Sequence, residues 1–163
     1  SWARIDSRTL PMHAKATANY ANSALARIEA IKSGADEAIM LNISGMVVEG
    51  TAENIFIVRD NTLITPPLTS GALDGITRST VLSIAEHIGI NYLVCDISRD
   101  ELYYADELFL TGTAAEIKSI GEIDKIIIAD GKVGKIVTQL KSLYYQIVHG
   151  EIEKFEKWLT YVN

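Results

Sequence analysis

Apolar side chains recur at the spacing of a helix face in four parts of the chain, which predicts four helices. The first begins near Tyr20, and glycines at Gly34 and Gly89 stand where the first two would end. Between the second and third, Ser98 and Glu101 in "SRDE" fit a capping box that opens a further short helix. The apolar faces consist of Ala24, Leu25, Ile28 and Ile31, then Val81, Leu82, Ala85 and Ile88, then Val137, Leu140, Tyr144 and Ile147, and last Ile152, Phe155 and Leu159.

Short apolar runs between these helices are typical of strands. The runs "EAIMLN" and "MVVEG" predict a strand and a short return strand, and "NYLVCDI" and "ELFLTGT" predict two more. The run "NIFIVRDNTLITP" predicts a hairpin whose turn lies at Asp60 and Asn61, residues that tolerate unusual backbone angles. A second hairpin is predicted in "EIDKIIIADGKVG", with its turn at Asp130 and Gly131.

The order of these elements predicts the fold class. Strands come first in hairpins and are then mixed with helices, which favours an α/β fold of the α+β kind. We therefore expect a mixed, largely antiparallel sheet with flanking helices. A doubly wound parallel fold would alternate strands and helices more regularly. The length of 163 residues suits one domain with a full core.

Composition narrows the class of partner and the compartment. With 15 basic and 21 acidic residues the net charge is −6, so no nucleic-acid groove is expected. No run is long and apolar enough to cross a bilayer, so no membrane partner is expected either. Cys95 is the only cysteine and cannot form an internal disulfide, so no oxidising compartment is required. A cytoplasmic location is therefore expected. The chain begins at Ser1, and we interpret it as part of a longer protein.

Two ionisable residues stand out as candidates for chemistry. Lys15 lies in "MHAKATANY", a stretch without helical or strand period. It is either a surface lysine or one that forms a Schiff base with a carbonyl cofactor. Glu49 closes an apolar strand before Gly50, and is either an exposed strand-end carboxylate or one directed at a protonated ring nitrogen. Glu53 and Asn54 are expected to brace the loop that follows.

Two further stretches offer hydrogen-bond donors. "LDGITR" places Thr77 at the start of a helix, where free N–H groups and the helix dipole favour phosphate, although an ordinary helix start fits as well. "LFLTGTAAEI" ends a strand in Thr-Gly-Thr, a turn suited to a phosphate or carboxylate unless its threonines satisfy their own backbone. His13, His87 and His149 show no metal-ligand spacing, so no metal site is predicted.

Four stretches together resemble a known family. "SWARIDSRTLPMHAKATANY", "EGTAENIF", "TPPLTSGALDGITR" and "ELFLTGTAAEI" are similar to the second half of a branched-chain amino acid aminotransferase, a class IV (fold type IV) enzyme dependent on pyridoxal 5′-phosphate. The similarity runs from Ser1 to about Glu122, and more loosely to the end. It implies that residues 1–163 are the C-terminal domain carrying the cofactor lysine, and that an N-terminal small domain is absent from this chain.

The resemblance implies roles for three residues around the cofactor ring. Lys15 forms the Schiff base and, once released, moves the proton from the substrate Cα. Tyr20 hydrogen-bonds the phenolic oxygen of the cofactor. Glu49 pairs with the pyridine nitrogen and keeps it protonated, so that the ring accepts electrons when the Cα–H bond breaks. The implied reaction is transamination of leucine, isoleucine or valine, with 2-oxoglutarate as the second substrate.

The resemblance also implies the residues that bind phosphate and substrate. Ile76 and Thr77 bind phosphate through backbone N–H groups and a hydroxyl, and Thr113 adds a contact. Thr113 and Ala114 offer backbone donors to the substrate carboxylate. The absent domain is expected to supply an arginine and much of the substrate pocket, so the chain alone is expected to be inactive. The complete enzyme is expected to be a homodimer or higher homo-oligomer.

Three alternatives remain at this point. D-amino acid aminotransferase and aminodeoxychorismate lyase share the lysine and the fold, although "EGTAENIF" with Glu53 before Asn54 favours the branched-chain group. The third is a non-catalytic domain that keeps the fold and only assembles with partners. The joint presence of Lys15, Tyr20 and Glu49 with the threonine of "GITR" argues against it.

Overall fold

A computed structural model describes residues 2–162 and contains three α-helices in that range. They are α1 (Tyr20–Lys32), α2 (Ile76–Ile88) and α3 (Lys135–Val148). Short 3₁₀ helices lie at Thr17–Asn19, Leu68–Ser70, Asp100–Tyr104 and Glu153–Trp158. The glycines predicted to follow α1 and α2 do so with left-handed backbone, φ 84° at Gly34 and 73° at Gly89. Both helix ends are therefore where the sequence placed them.

Nine strands lie within residues 2–162 and form a seven-stranded and a two-stranded sheet. The central strand is β3, which pairs antiparallel with β2, β4 and β6, while β7 extends the sheet beyond β6 and β1 extends it beyond β2. Only β4 and β5 pair in parallel among these described strands. The strands are β1 (Met40–Leu41), β2 (Val47–Glu49), β3 (Asn54–Arg59), β4 (Thr62–Thr65), β5 (Tyr92–Val94), β6 (Glu107–Gly112), β7 (Glu116–Ile120), β8 (Glu122–Ile123) and β9 (Ile126–Ile127). The predicted mixed, largely antiparallel sheet with flanking helices is confirmed.

Alternation along β3 divides the core into two layers. Phe56 and Val58 face α2 and α3, where the Phe56 ring stacks on that of Phe109 with centroids 5.0 Å apart. Ile55 and Ile57 face the opposite layer, which is closed by the segments around residues 97, 102 and 128. The six residues of β3 are buried except at its last position, as expected for a strand covered on both faces.

One row of paired residues crosses the sheet at a single end. Glu49 at the end of β2 pairs with Asn54 at the start of β3, and Asn54 pairs with Thr111 near the end of β6. Thr111 in turn pairs with Ile117 on β7. The predicted site stretches "VVEG", "EN" and "TGT" therefore meet at the same end of the sheet, although the first and the last are more than sixty residues apart in sequence.

The hairpin turn predicted at Asp130 and Gly131 is wrong. The strands β8 and β9 are joined at Asp124 and Lys125, whose φ angles of 51° and 66° suit a tight two-residue loop. Asp130 and Gly131 instead close a turn after β9, with the Gly131 N–H donating to Ile128 O at 2.8 Å. An Asp-Gly pair specifies a turn, but which strands that turn joins depends on pairing that is not local.

The other two departures concern helices. The fourth predicted helix is the 3₁₀ segment Glu153–Trp158, of which Phe155 is buried. The apolar face predicted for α1 is exposed, at 47% for Leu25, 50% for Ile28 and 57% for Ile31.

No helix within residues 2–162 has the length and apolar character required to cross a membrane.

Candidate active site

Glu49 is a buried carboxylate at the end of β2, with 4% of its surface exposed. Its Oε1 forms an ion pair with Arg4 Nη2 at 2.6 Å. Its Oε2 accepts hydrogen bonds from Asn54 Nδ2 and from the Leu73 N–H, both at 3.0 Å. A carboxylate offers about four acceptor positions, so these three donors leave it able to accept one more.

The electrostatics of Glu49 follow from this burial. Burial raises the pKa of Glu49, and the Arg4 guanidinium and the Leu73 N–H oppose that rise, while a charged Glu53 adds to it. Without the guanidinium, a carboxylate this deep would favour the neutral form. Arg4 is therefore the residue that most favours the anionic form of Glu49.

Asn54 connects Glu49 to the start of α2. Its Nδ2 donates to Glu49 Oε2 and also to the Leu73 carbonyl at 2.8 Å. A β-carbon at Gly75 would lie only 2.0 Å from Asn54 Oδ1, so the amide occupies the space beside a residue that must be glycine. Asn54 thus has the bracing role expected from the sequence, and it holds the carboxylate beside the start of α2.

The start of α2 presents backbone N–H groups. Within the described residues 2–162, no side chain caps this helix at Gly75, and its first turn contains no acidic residue. Ile76 is 82% exposed and has no polar side-chain atom, so it offers an anion only its backbone N–H. Thr77 is buried. Arg78 is also buried and donates from Nη2 to the Pro66 carbonyl at 3.1 Å, which fixes the first turn. Uncapped N–H groups with a nearby hydroxyl form a suitable anion site.

Lys15 lies on an irregular segment whose path is fixed by Asn19. The Asn19 side chain is buried and donates from Nδ2 to the carbonyls of Pro11 and Ala14, both at 2.9 Å. The Lys15 side chain is exposed, and Tyr20 is half-buried at the first position of α1. The loop that presents the lysine is therefore shaped by hydrogen bonds to its own backbone.

A second contact places this segment next to the strand of Glu49. At Gly71, where φ is 107°, a β-carbon would lie 3.2 Å from the Met12 sulfur and 3.8 Å from Val48 Cγ1. Met12, three residues before Lys15, and Val48, one residue before Glu49, therefore both lie next to Gly71. The segment that carries the lysine and the strand that carries the carboxylate are neighbours.

Thr113 and Ala114 lie in the exposed turn between β6 and β7. The turn is closed by the pairing of Gly112 with Glu116, and Glu116 has a φ of 53°. Just before it, Thr111 is buried with no hydrogen-bond partner for its Oγ1 among the described residues. This turn stands at the same sheet end as Glu49, because Asn54 is paired with both strands.

Two residues of the site were not found from the sequence. Arg4 reaches Glu49 because its backbone N–H donates to Leu41 O at 2.7 Å, and its Nη1 donates to Ser23 Oγ at 3.1 Å. Asn19 was also missed. A buried carboxylate calls for a cation, but the chain has 15 basic residues, and nothing local distinguishes Arg4 from the other candidates.

The comparisons with known proteins agree with this geometry. The family described as Amino-transferase class IV matches residues 1–123. The chain belongs to the amino-transferase class IV family. The resemblance identified in the four sequence stretches is thereby confirmed.

The similar proteins are branched-chain aminotransferases. The enzyme of this name from Escherichia coli (strain K12) is 40% identical over 163 residues, which is 100% of this chain and 53% of that protein. The branched-chain aminotransferase from Thermoproteus uzoniensis with norvaline has a TM-score of 0.95 and 52% identity, covering 98% of this chain and 53% of the other. The branched-chain amino acid aminotransferase from Thermobaculum terrenum in its PLP-form has a TM-score of 0.95 and 46% identity, covering 98% and 52%. This chain spans about half the length of these relatives.

Proposed function

We propose that this chain is the cofactor-binding part of a pyridoxal 5′-phosphate-dependent branched-chain amino acid aminotransferase. The proposed reaction moves the amino group of leucine, isoleucine or valine to 2-oxoglutarate. One observation carries the proposal: the buried Glu49 is held by Arg4 and Asn54 directly beside the uncapped start of α2. A protonated ring nitrogen and a phosphate on one molecule would need these two features side by side.

The donor set of the site fits this cofactor. Glu49 retains an acceptor position for a ring N–H after its three protein donors are counted. The N–H groups of Ile76 and Thr77 and the Thr77 hydroxyl are the proposed phosphate ligands, with Thr113 as a further one. Pyridoxal 5′-phosphate, when bound, supplies an aromatic ring that accepts electrons from the substrate Cα–H bond.

Side chains of this chain would then accept the substrate Cα proton and hold the proton on the ring nitrogen. Lys15 is proposed to bind the cofactor covalently through Nζ and, once free, to accept the proton from the substrate Cα. Glu49 holds a proton on the ring nitrogen by electrostatic attraction, and Arg4 favours the anionic form of Glu49 for this purpose. Tyr20 is proposed to donate a hydrogen bond to the phenolic oxygen. The N–H groups at Thr113 and Ala114 would bind the substrate carboxylate.

The names of the relatives support the branched-chain substrate over the two alternatives in the same class. The Escherichia coli protein and both solved structures carry the branched-chain name. The non-catalytic alternative is disfavoured because the buried Glu49 ion pair and the glycine at position 75 maintain a site that a purely structural domain would not need.

A further domain and a second copy of the chain are proposed partners. The Lys15 side chain is exposed, and so is the apolar face of α1 formed by Leu25, Ile28 and Ile31. An N-terminal domain would cover the lysine and desolvate its amine, and self-association would cover apolar surface. We therefore propose that residues 1–163 alone are inactive. A cytoplasmic location stays a prediction from the sequence.

The test is an amino-transfer assay on the longest product of the reading frame that contains these residues. L-leucine, L-isoleucine and D-alanine are each supplied with 2-oxoglutarate, and aminodeoxychorismate is tested for lyase activity. We expect turnover with the two branched L-amino acids. A preference for D-alanine or aminodeoxychorismate would establish one of the alternatives, and absence of turnover with a colourless, reconstitution-resistant protein would overturn the enzymatic proposal.

A further inference from the structure

The loop of residues 66–75, between β4 and α2, supplies one of the three donors of Glu49. Leu73, near the end of this loop, uses both of its main-chain polar groups at the site. Its N–H donates to Glu49 Oε2 at 3.0 Å, and its carbonyl accepts from Asn54 Nδ2 at 2.8 Å. The position of the loop therefore decides whether Glu49 and Asn54 keep these two hydrogen bonds.

One side chain anchors the middle of this loop. Ser70 is buried, and among the described residues 2–162 it is the loop residue whose side chain forms a hydrogen bond outside the loop, from Oγ to Asp96 Oδ1. Its N–H donates within the loop to Pro67 O at 3.1 Å, and its carbonyl lies 3.5 Å from Asn42 Nδ2, which is a long contact. The hydroxyl of Ser70 is therefore the main hydrogen-bonded link between the middle of the loop and the rest of the chain.

Asp96 lies on a segment that is held from two sides. Before it, the Cys95 N–H donates to Thr65 O at the end of β4, at 3.2 Å. After it, the carbonyl of Ile97 accepts from the Val47 N–H on β2, at 2.8 Å. The strand β4 leads into the loop and β2 leads to Glu49, so the neighbours of Asp96 are bonded to both strands. Asp96 is therefore a fixed point from which the loop can be held.

A change at Ser70 is passed on to Leu73 because the chain between them is short and packed. Only Gly71 and Ala72 separate the two residues, and both are buried. Close packing leaves little free space in which a displacement of the loop could be absorbed. The link between Ser70 and Asp96 therefore bears on the hydrogen bonds that Leu73 makes.

We propose that Asp96 is a positioning residue which, through the Ser70 hydroxyl, holds Leu73 in hydrogen-bonding contact with Glu49 and Asn54. Asp96 acts through the loop and does not contact the reacting atoms. This positioning does not depend on the proposed function. Its consequence for cofactor binding does rest on that function, in which Glu49 pairs with the ring nitrogen.

The first test measures hydrogen exchange at the Leu73 amide in the complete protein without added cofactor. We expect Asp96→Ala to speed this exchange at least about tenfold, because the loop loses a hydrogen bond to a carboxylate. Asp96→Asn retains an oxygen that accepts from the Ser70 hydroxyl, so it should stay within about threefold of the parent. Exchange along β3 should not change. An unchanged Leu73 rate in Asp96→Ala, or faster exchange spread equally over β3, would overturn the proposal.

The partner side chain provides a double-mutant cycle. Ser70→Ala removes the donor of the same hydrogen bond, so it should speed Leu73 exchange as much as Asp96→Ala does. The double variant should add no more than about twofold to either single variant, since one interaction is lost in all three. Effects that multiply in the double variant would show that the two residues act independently, and would contradict the proposal.

The matched control is Asp106→Ala. Asp106 is also an exposed aspartate that holds a turn, since its Oδ2 accepts from the Asp60 N–H at 2.9 Å. That turn lies at the other end of β3 from Asn54. The control variant should speed exchange at Asp60 and leave Leu73 at the parent rate. Equal acceleration of Leu73 exchange by Asp106→Ala and Asp96→Ala would show that the effect is not specific to Asp96.

The second test measures the affinity of the complete protein for pyridoxal 5′-phosphate by spectroscopic titration. We expect Asp96→Ala to raise the Kd at least about threefold, because Glu49 loses a donor that fixes its orientation, while Asp96→Asn and Asp106→Ala keep the parent value. An unchanged Kd in Asp96→Ala would overturn the connection between the loop and the ring site. A parent protein that binds no cofactor would refute the proposed function and would leave the exchange results standing.

Discussion

Arg4 and Glu49 form a buried ion pair in which Nη2 and Oε1 are 2.6 Å apart and each side chain is 5% exposed. The two residues are far apart in sequence, since Arg4 precedes the loop that carries Lys15 and Glu49 ends β2. Arg4 also bonds Ser23 on α1. One guanidinium therefore fixes the N-terminal segment, the first helix and the candidate catalytic carboxylate together.

Replacement of Arg4 by methionine should strongly destabilise the chain. Methionine fills similar space but leaves Glu49 as a buried charge without its cation, a change that costs on the order of 3–5 kcal/mol in free energy of unfolding. Urea denaturation at neutral pH measures the loss. Arg8→Met is the control, because Arg8 pairs with Asp6 while 76% exposed, and it should show no measurable change. Equal effects of the two substitutions would contradict the role given to Arg4.

Glu49→Gln should reduce amino transfer far more than Glu53→Gln. A neutral amide cannot hold a ring nitrogen protonated, and loss of one charge-assisted hydrogen bond costs on the order of 1.5–3 kcal/mol. We expect kcat/KM of the complete, cofactor-loaded protein to fall at least about tenfold for Glu49→Gln. Glu53→Gln should cost far less, since Glu53 is expected to brace the loop and not to contact the ring. Similar losses in both variants would mean that the wrong carboxylate has been assigned to the ring.

The fold was largely predictable because its signals are local. The Asp60-Asn61 turn, with φ of 50° and 57°, and the end of α2 at Gly89 depend only on residues that tolerate positive φ. Only half of the predicted Ser98–Glu101 capping box is present: the Ser98 N–H donates to Glu101 Oε2 at 2.8 Å, but the 3₁₀ helix that follows has Arg99 at its N-cap and no side-chain cap. The β8–β9 turn was misplaced because two nearby pairs of residues both suit a turn, and only strand pairing decides between them.

The site was predictable only in part. Apart from Lys15, which lies on an irregular segment, the residues expected from the sequence lie at helix starts and at or just after strand ends, which a motif reveals. Arg4 and Asn19 act through contacts that the sequence does not encode locally, since Arg4 meets a carboxylate 45 positions away. The exposure of α1 could not be predicted for a similar reason. An apolar stripe indicates that a helix face is covered, but it does not show whether this chain or a partner covers it.

Lys15 should carry the covalent label when the cofactor-loaded complete protein is reduced with borohydride. The reduction fixes a pyridoxyl group on whichever lysine holds the cofactor, and peptide mapping by mass spectrometry locates it. Lys15→Ala should abolish the label. Lys32→Ala, at the exposed end of α1, should leave it in place. A label on any other lysine would refute the assignment.

Gly75→Ala should weaken phosphate binding as well as stability. The new β-carbon would lie 2.0 Å from Asn54 Oδ1 and would displace the amide that links Glu49 to α2. Overpacking of this kind costs about 1–3 kcal/mol. Gly89→Ala is the control: it strains a residue with φ 73° and meets nothing within 4 Å, so it should reduce stability alone. Spectroscopic titration with pyridoxal 5′-phosphate and thermal unfolding separate the two effects, and unchanged cofactor affinity in Gly75→Ala would contradict the assignment.

The apolar face of α1 should drive self-association of the 163-residue chain. Leu25 and Ile28 are 47% and 50% exposed on adjacent turns of a regular helix, so they form a continuous apolar surface. The double variant Leu25→Gln, Ile28→Gln should shift the chain toward monomer in sedimentation velocity without loss of helix content, since glutamine is a good helix former. The control replaces Ile126 and Ile127, which are 53% and 64% exposed on β9, in the same way. If α1 is the associating surface, only the first variant dissociates, whereas equal dissociation by both would show that exposed apolar area in general, rather than this helix, holds the copies together.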